Sequence, residues 1–156
     1  IVSSPSGLIE NAGAGILKVG NPNGAGGFLN LGQGANIFGN LEVNGDGSLT
    51  SNGELFDSGK VKLDIGSVTN LSSYKQSLTG TLDLQAASAT SSSSLTVTGA
   101  AQLSGTLEMD FLNGYTPTSG TTFPVLTAGS IGAHFDTTPA NMTVNYSSTG
   151  VSLTQN

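Results

Sequence analysis

The chain has little charge, and it lacks several residue types on which common protein functions depend. Its 156 residues include no Cys, no Trp, a single His and only four basic residues, all of them Lys. Without Cys, no disulfide framework, thiolate metal site or cysteine nucleophile is possible. Four lysines cannot form the basic patch that neutralises nucleic-acid phosphates, which excludes nucleic acid as a partner. No apolar run approaches the length of a membrane span, so no membrane-spanning segment is predicted.

What remains is a chain of short alternating segments separated by turn-forming residues. It contains 23 Gly, and 36% of its residues are hydrophobic, which argues against a disordered chain. Helix-forming windows are nearly absent, whereas apolar residues recur with a period of two in residues 60–65, 106–111 and 142–146. Such alternation is typical of β-strands with one buried face and one wet face. The sequence therefore predicts an all-β fold.

A tripeptide with a charged residue between two aliphatic residues recurs along the first two thirds of the chain. Its five copies are Leu17-Lys18-Val19, Leu41-Glu42-Val43, Leu63-Asp64-Ile65, Leu82-Asp83-Leu84 and Leu107-Glu108-Met109. The spacing between successive copies varies by only a few positions. A repeat of about 20 residues favours a single-stranded parallel β-solenoid, or β-helix, in which each turn buries its apolar face against the next turn.

We expect residues 1–156 to form a single domain. An N-terminal extended or capping segment covers residues 1–15, solenoid turns cover 16–111, and an atypical C-terminal cap covers 112–156, where the pattern changes and aromatic residues concentrate. Terminal turns of a solenoid are usually atypical because they close off an open core. The alternative is an antiparallel β-sandwich, which also has short strands at regular spacing.

Four acidic residues at outward strand positions form the strongest candidate for a chemical site. They are Glu42, Asp64, Asp83 and Glu108. In adjacent parallel turns they would stack about 4.8 Å apart, an unfavourable arrangement for like charges. Either the turns are staggered, or Lys18, Lys60 and Lys62 offset the charge, or a cation binds there. We interpret these acids as a solvated face and not as an acid/base pair.

The sequence offers no other convincing catalytic, metal or cofactor site. His134 has no nearby His or Cys, so a metal site is not expected. Ser is abundant, but one His and no Gly-x-Ser-x-Gly motif do not support a serine nucleophile. We therefore predict no catalytic, metal-binding or cofactor-binding residue, and no enzymatic activity.

The second half of the chain resembles the passenger regions of bacterial autotransporters and related secreted β-helix repeat proteins. The resemblance covers residues 79–153 and is carried by residues 95–107, by residues 114–126 and by the closing strands at 144–153. It implies that this region forms the last turns of a parallel β-helix and that the protein is extracellular or displayed on the cell surface.

These features predict a non-enzymatic structural protein that is secreted, with its leader removed, and that builds a surface filament, coat or matrix. The open ends of a solenoid carry unpaired backbone groups, so copies would join head to tail by strand pairing. A head-to-tail contact that does not close produces a filament. The predicted subunit contacts are Ile1, Val2, Pro5, Leu8, Ile9, Val151 and Leu153.

The alternative function is an adhesin-type module that binds a glycan or another surface. Its stacking candidates are Tyr74, Tyr115 and Tyr146, because an aromatic ring offers an apolar face for a sugar ring. Burial of these tyrosines in the core would explain their presence equally well.

Overall fold

The structure is a computed structural model that describes residues 2–3, 9–11, 16–20 and 26–156. These residues form an all-β protein, and no helix occurs among them. None of the described segments therefore supplies a helix long and apolar enough to cross a lipid bilayer.

The regular structure in these ranges consists of eighteen strands. They are β1 (Val2–Ser3), β2 (Ile9–Asn11), β3 (Ile16–Val19), β4 (Gly27–Leu31), β5 (Gly34–Ile37), β6 (Asn40–Val43), β7 (Gly47–Asp57), β8 (Lys60–Leu63), β9 (Val68–Gln76), β10 (Thr81–Ser88), β11 (Ser91–Ser92), β12 (Leu95–Thr96), β13 (Ala100–Gln102), β14 (Thr106–Phe111), β15 (Thr122–Thr127), β16 (Ser130–Gly132), β17 (Met142–Tyr146) and β18 (Gly150–Gln155). The alternating segments at residues 106–111 and 142–146 are strands as predicted, and the segment at 60–65 forms the strand Lys60–Leu63.

The strands form three sheets in which most neighbours are parallel. The first sheet has the order β1-β4-β7-β9-β13-β16, with the pair β2-β5 also joined to β7. The second sheet contains β3, β6, β8, β10 and β14 in parallel, with β11 attached to β10. The third sheet has the order β12-β15-β18-β17. Among the described strands only β10–β11, β15–β18 and β17–β18 pair antiparallel, so the antiparallel sandwich is not the observed arrangement.

The register of the second sheet corrects one member of the predicted repeat. Leu41 pairs with Val61, and Val61 pairs with Leu82, so Val61-Lys62-Leu63 lies in line with the other tripeptides. The predicted member Leu63-Asp64-Ile65 is displaced by two positions, since Leu63 pairs with Leu84. Both registers keep the same alternation of faces, which is why the alternation alone did not distinguish them.

Inward-facing aliphatic residues from all three sheets form one buried cluster. It runs from Val19 in β3 to Leu153 in β18, and residues such as Leu41, Val61 and Leu82 are completely inaccessible to solvent. The apolar side chains of each strand are buried against those of its parallel neighbours, as with Leu41 beside Val61. The apolar half of the repeat therefore faces the core, as predicted.

Tight corners between strands rely on glycine where the backbones come close. Gly34 opens β5 with a φ of +112°, and a Cβ atom at this position would overlap the carbonyl oxygen of Glu54 in the neighbouring strand β7. Only glycine combines this positive φ with so little space. This position illustrates why so many of the turn residues are glycines.

After residue 111 the pairing changes, as the sequence pattern does. β15 still pairs parallel with β12, but β18 and β17 follow as an antiparallel hairpin. Phe111, Tyr115 and Phe123 pack together beneath this region, with ring centroids 5.7–6.4 Å apart. Aromatic packing and antiparallel pairing thus distinguish this part of the chain from the parallel strands before it.

Candidate functional site

The outer face of the second sheet carries a row of charged residues in adjacent strands. In register along this row lie Lys18, Glu42, Lys62, Asp83 and Glu108. The first four alternate in sign, so the register that places Lys62 in the row also separates acid from acid. Cross-strand neighbours of opposite charge attract, whereas like charges repel.

Three lysines on this face form ion pairs with side chains that are far away in sequence. Lys18 Nζ lies 3.2 Å from Glu42 Oε2, and Lys62 Nζ lies 3.6 Å from Asp110 Oδ2. Lys60 Nζ lies 2.8 Å from both Asp83 Oδ2 and Glu108 Oε2. Neutralisation by lysine, one of the three ways foreseen to relieve repulsion between the acids, is therefore observed.

Lys60 and Asp83 form the most enclosed of these pairs. Asp83 is only 1% exposed, while Lys60 is 37% exposed. Burial alone would lower the pKa of Lys60, but its hydrogen bonds to Asp83 and Glu108 outweigh burial and raise the pKa above its ordinary value. Burial raises the pKa of Asp83, and the hydrogen bond from Lys60 opposes this increase. Lys60 is thus held firmly as a cation between two carboxylates.

Asp64 lies beside the row and not within it. Burial, followed by the charge of Glu42, raises the pKa of its carboxyl group. The side chain of Asn44 lies between the two acids, and in the amide orientation that suits both it donates to Glu42 Oε1 at 3.3 Å and Asp64 Oδ2 at 3.2 Å. An amide therefore separates these two carboxylates.

Most acids on this face are engaged with lysine. The carboxylates of Glu42, Asp83 and Glu108 are each ion-paired to lysine. In the part of the chain that the structure describes, no three His, Cys, Asp or Glu residues are grouped so that they could hold a metal ion. The arrangement is suited to holding successive strands together.

At the N-terminal end of the described chain, β1, β2 and β3 each begin a series of parallel strands and are paired along one edge only. β1 pairs with β4, β2 with β5 and β3 with β6, and no second partner strand is present for them in the described ranges. The predicted contact residues Val2 and Ile9 belong to β1 and β2. Ile1, Pro5 and Leu8 lie outside the described residues.

The C-terminal contact residues are not placed as predicted. Val151 is 3% exposed and Leu153 is fully buried, and their strand β18 is paired on both sides, with β15 and with β17. Backbone groups already used within the sheet are not free for a second copy, so this part of the prediction needs correction. Toward the C-terminus, β14, β16 and β17 each have one partner strand in the described chain, and β17, paired with β18, is an edge of the third sheet.

The three tyrosines proposed for glycan stacking lie in different environments. Tyr74 is 1% exposed and therefore cannot stack on an external sugar. Tyr115 packs edge-on against Phe111 and Phe123. Tyr146 is half-buried, stacks on His134 with a centroid distance of 3.8 Å, and accepts a hydrogen bond from Phe135 N at 3.1 Å. Tyr146 also lines a surface groove of about 280 Å³, together with residues that include Pro124 and Ser152.

The interior contains a polar cluster that sequence reasoning missed. The fully buried Asp57 contacts the hydroxyl of Tyr74, which also contacts Gln76. Burial raises the pKa of Asp57 to about 7, although hydrogen bonds from Tyr74 and Gly59 N oppose this increase. The available signal was the strand alternation itself, because Asp57 follows the inward residue Leu55 by two positions.

Comparison with known proteins assigns the chain to no family. No protein-family model matches it, and no curated protein sequence matches it. Its function must therefore be inferred from its own strands and side chains.

Proposed function

We propose that this chain is a non-enzymatic extracellular structural protein that folds as a parallel β-solenoid and assembles head to tail into a filament, coat or matrix. The observation that carries the proposal is the one-sided pairing of β1, β2 and β3 at the N-terminal end of the described chain. Unpaired N–H and C=O groups at a sheet edge are a template for pairing with another chain.

The regular return of the chain to the same sheet supports the solenoid. The inward residues that occupy equivalent positions in the second sheet are Leu17, Leu41, Val61, Leu82 and Leu107. The first sheet repeats in step with them, since β4, β7 and β9 are consecutive parallel neighbours. Such a stack grows along one axis, and only its two ends remain open.

Exposed apolar side chains near the N-terminal end also support a contact there. Ile16 and Phe28 are 56% and 48% exposed, and they belong to β3 and β4. Burial of apolar surface is a main favourable contribution to protein association. Backbone pairing and apolar burial would then act at the same surface.

At the other end, β17 supplies the second half of the contact in this proposal. Ser147 N donates to Gly150 O at 2.8 Å and Asn156 N donates to Asn141 O at 3.0 Å. These bonds place the odd-numbered residues of β17 in the hydrogen-bonded pairs with β18, so the N–H of Val144 points to the free edge. Because the two ends differ, the contact is heterologous and propagates into a filament.

Electron microscopy and light scattering of the full-length chain test the proposal. We expect filaments or other end-to-end polymers for the natural sequence, and monomers after deletion of residues 1–11. Val144→Pro removes the edge donor without breaking the bonds between β17 and β18, so it should also give monomers. Val144→Ala, which keeps the donor, is the matched control and should still assemble. A natural chain that stays monomeric at high micromolar concentration would refute the proposal.

The groove beside Tyr146 supports a second candidate function, an adhesin-type module that binds glycan. One face of the Tyr146 ring is covered by His134, and the polar residues Asn145, Ser147 and Ser152 border the groove. A glycan array probed with the Val144→Pro protein and with a Tyr146→Ala variant tests this function. Selective binding that Tyr146→Ala abolishes would support it, and the absence of selective binding would reject it.

A further inference from the structure

Asp57, Tyr74 and Gln76 form a continuous chain of polar side chains inside the apolar core. Asp57 and Gln76 face each other at the ends of β7 and β9, where they are register partners. The Tyr74 hydroxyl lies 3.0 Å from Asp57 Oδ2 and 2.9 Å from Gln76 Oε1. All three residues are at most 3% exposed, so bulk water does not complete their hydrogen bonding.

The orientation of the Gln76 amide is determined by two backbone carbonyl groups. Gln76 Nε2 donates to Gly80 O and to Thr106 O, both at 2.9 Å. Exchanging the positions of the amide oxygen and nitrogen would turn the oxygen toward these two carbonyl oxygens and lose both bonds. Gln76 Oε1 therefore faces the tyrosine as an acceptor, and it requires a donor.

The Tyr74 hydroxyl has one hydrogen and faces two acceptors, so one further proton is needed to complete the chain. Asp57 Oδ1 already accepts a hydrogen bond from Gly59 N at 3.1 Å. If Asp57 Oδ2 carries the proton, it donates to the tyrosine oxygen, and the tyrosine donates to Gln76. If Asp57 is ionised, the single Tyr74 hydrogen can be donated either to Asp57 or to Gln76 Oε1. The other acceptor is then buried without a hydrogen bond from Tyr74, which lowers the stability of the fold.

We propose that the Asp57–Tyr74–Gln76 chain is a proton-dependent lock of the protein interior, complete only while Asp57 is protonated. The lock links four parts of the chain, because it runs from β7 through β9 to Gly80, just before β10, and to Thr106 in β14. Protonation joins these segments by one unbroken series of hydrogen bonds, and loss of the proton breaks that series. This inference does not depend on the proposed assembly.

Among the described residues, no other charged side chain contacts Asp57 from the elements packed around it. On β7 and β9, Glu54 and Lys75 are exposed, and Lys75 lies over the Phe56 ring instead. On β8, β10 and β14, Lys60 pairs with Asp83 and Glu108, and Lys62 pairs with Asp110, all on the outer face. The strand β5, which also pairs with β7, contributes only Gly34, Ala35, Asn36 and Ile37. The titratable group that faces Asp57 is therefore Tyr74.

The hydrogen-bonded series of the lock should be complete at acidic pH and should break as the pH rises to about neutral. The pKa of Asp57 is raised from 3.8 to about 7, with burial as the main cause. Between these two values the folded chain keeps a proton that the unfolded chain loses, so stability falls as the pH rises from about 4 to about 7 and then levels off. Each pH unit in this interval changes the folding equilibrium about tenfold, which amounts to about a thousandfold in total.

Asp57→Asn tests the lock because the amide imitates the protonated carboxyl group at every pH. Its NH₂ group donates to Tyr74, and its oxygen accepts from Gly59 N. We expect denaturant unfolding of the natural chain to lose up to about a thousandfold in the folding constant between pH 4 and pH 8 through this group. Asp57→Asn should lack that loss and be the more stable protein at pH 8. Glu54→Gln, an exposed change on the same strand, should keep the natural pH profile.

Carbon-13 NMR of the Asp57 carboxyl group gives an independent measurement on the natural chain. We expect its resonance to titrate near pH 7, together with a change at the Tyr74 ring. Tyr74→Phe should weaken the fold at acidic pH as well, since it leaves Asp57 and Gln76 without their shared partner. An Asp57 resonance that titrates near pH 4, or identical pH profiles for the natural chain and Asp57→Asn, would overturn the proposal.

Discussion

Lys60 of β8 reaches Glu108 of β14 across the intervening strand β10, with 2.8 Å between Nζ and Oε2, although the two residues are distant in sequence. The same ammonium group contacts Asp83 of β10. One lysine therefore ties three consecutive parallel strands together on the outer face of the second sheet.

Loss of the Lys60 ammonium group should destabilise the protein because it leaves Asp83 covered and without a cation. We expect Lys60→Met to lower the free energy of unfolding by about 1–3 kcal/mol at pH 7, less than for a fully buried pair because Lys60 is 37% exposed. The loss should shrink near pH 4, where Asp83 can take up a proton instead. Urea unfolding at both pH values measures it.

Lys75→Met is the matched control for Lys60→Met. Lys75 is exposed, and its Nζ lies 5.9 Å from the centroid of Phe56, an arrangement worth about 0.5–1 kcal/mol. An equal loss in the two variants, or a loss at Lys60 that does not depend on pH, would contradict the importance assigned to the Lys60–Asp83 pair.

Charge reversal at Lys62 tests the register of the second sheet. Lys62→Glu would place four acids in succession, with Glu42 on one side and Asp83 and Glu108 on the other. We expect a loss of about 1–2 kcal/mol in the free energy of unfolding, since each like-charge pair costs about 0.2–1 kcal/mol. Added salt should recover part of the loss, because it screens exposed charges.

Asp64→Asn gives the comparison for Lys62→Glu. Asp64 lies beside the row, and burial together with Glu42 already raises its pKa, so removal of its charge should leave stability unchanged or slightly improved at pH 7. If Asp64→Asn were the damaging change and Lys62→Glu were tolerated, the strands would instead be aligned as the sequence repeat first suggested.

Two glycines with positive φ separate conformational strain from crowding. Gly34 has a φ of +112° and a Cβ there would overlap Glu54 O, whereas Gly114 has a φ of +71° with no atom within 4 Å of its Cβ position. We expect Gly114→Ala to cost about 1–2 kcal/mol through backbone strain alone. Gly34→Ala should cost more, about 3 kcal/mol or above, because β5 must also move away from β7. Thermal unfolding of both variants measures the difference, and equal costs would contradict the close approach at Gly34.

The strand content was predictable because alternation of apolar and polar residues is a local property. Thr106–Phe111 and Met142–Tyr146 form strands with the predicted bounds. The alignment of neighbouring strands was not predictable in the same way. Moving the repeat from Val61 to Leu63 preserves every inward and outward position, so the choice depends on which residues pair across a whole turn of intervening chain.

The candidate sites likewise divide into features that the local sequence predicts and features that depend on which strands pack together. Lysine was foreseen as a possible partner for the acids, because all four lysines lie within residues 16–111, where the tripeptide recurs. Which acid each lysine meets depends on side chains from strands that are distant in sequence, as with Lys60 and its two carboxylates. The predicted contact strand at Val151 and Leu153 is a central strand, because a hairpin partner, β17, covers the edge that the sequence left open.

The amino-acid sequence by itself determined that this protein is all-β, that the aliphatic residues of the repeated tripeptides face inward, and that it carries few charges and no cysteine chemistry. These properties follow from the composition and from the alternation of apolar and polar residues along each strand, both of which can be read from neighbouring residues. The tertiary structure decided the pairing of Lys60 with Asp83 and Glu108 and the meeting of Asp57, Tyr74 and Gln76 in the core. Such contacts join residues distant in the chain, and only the packing of successive strands determines which of them come within hydrogen-bonding distance.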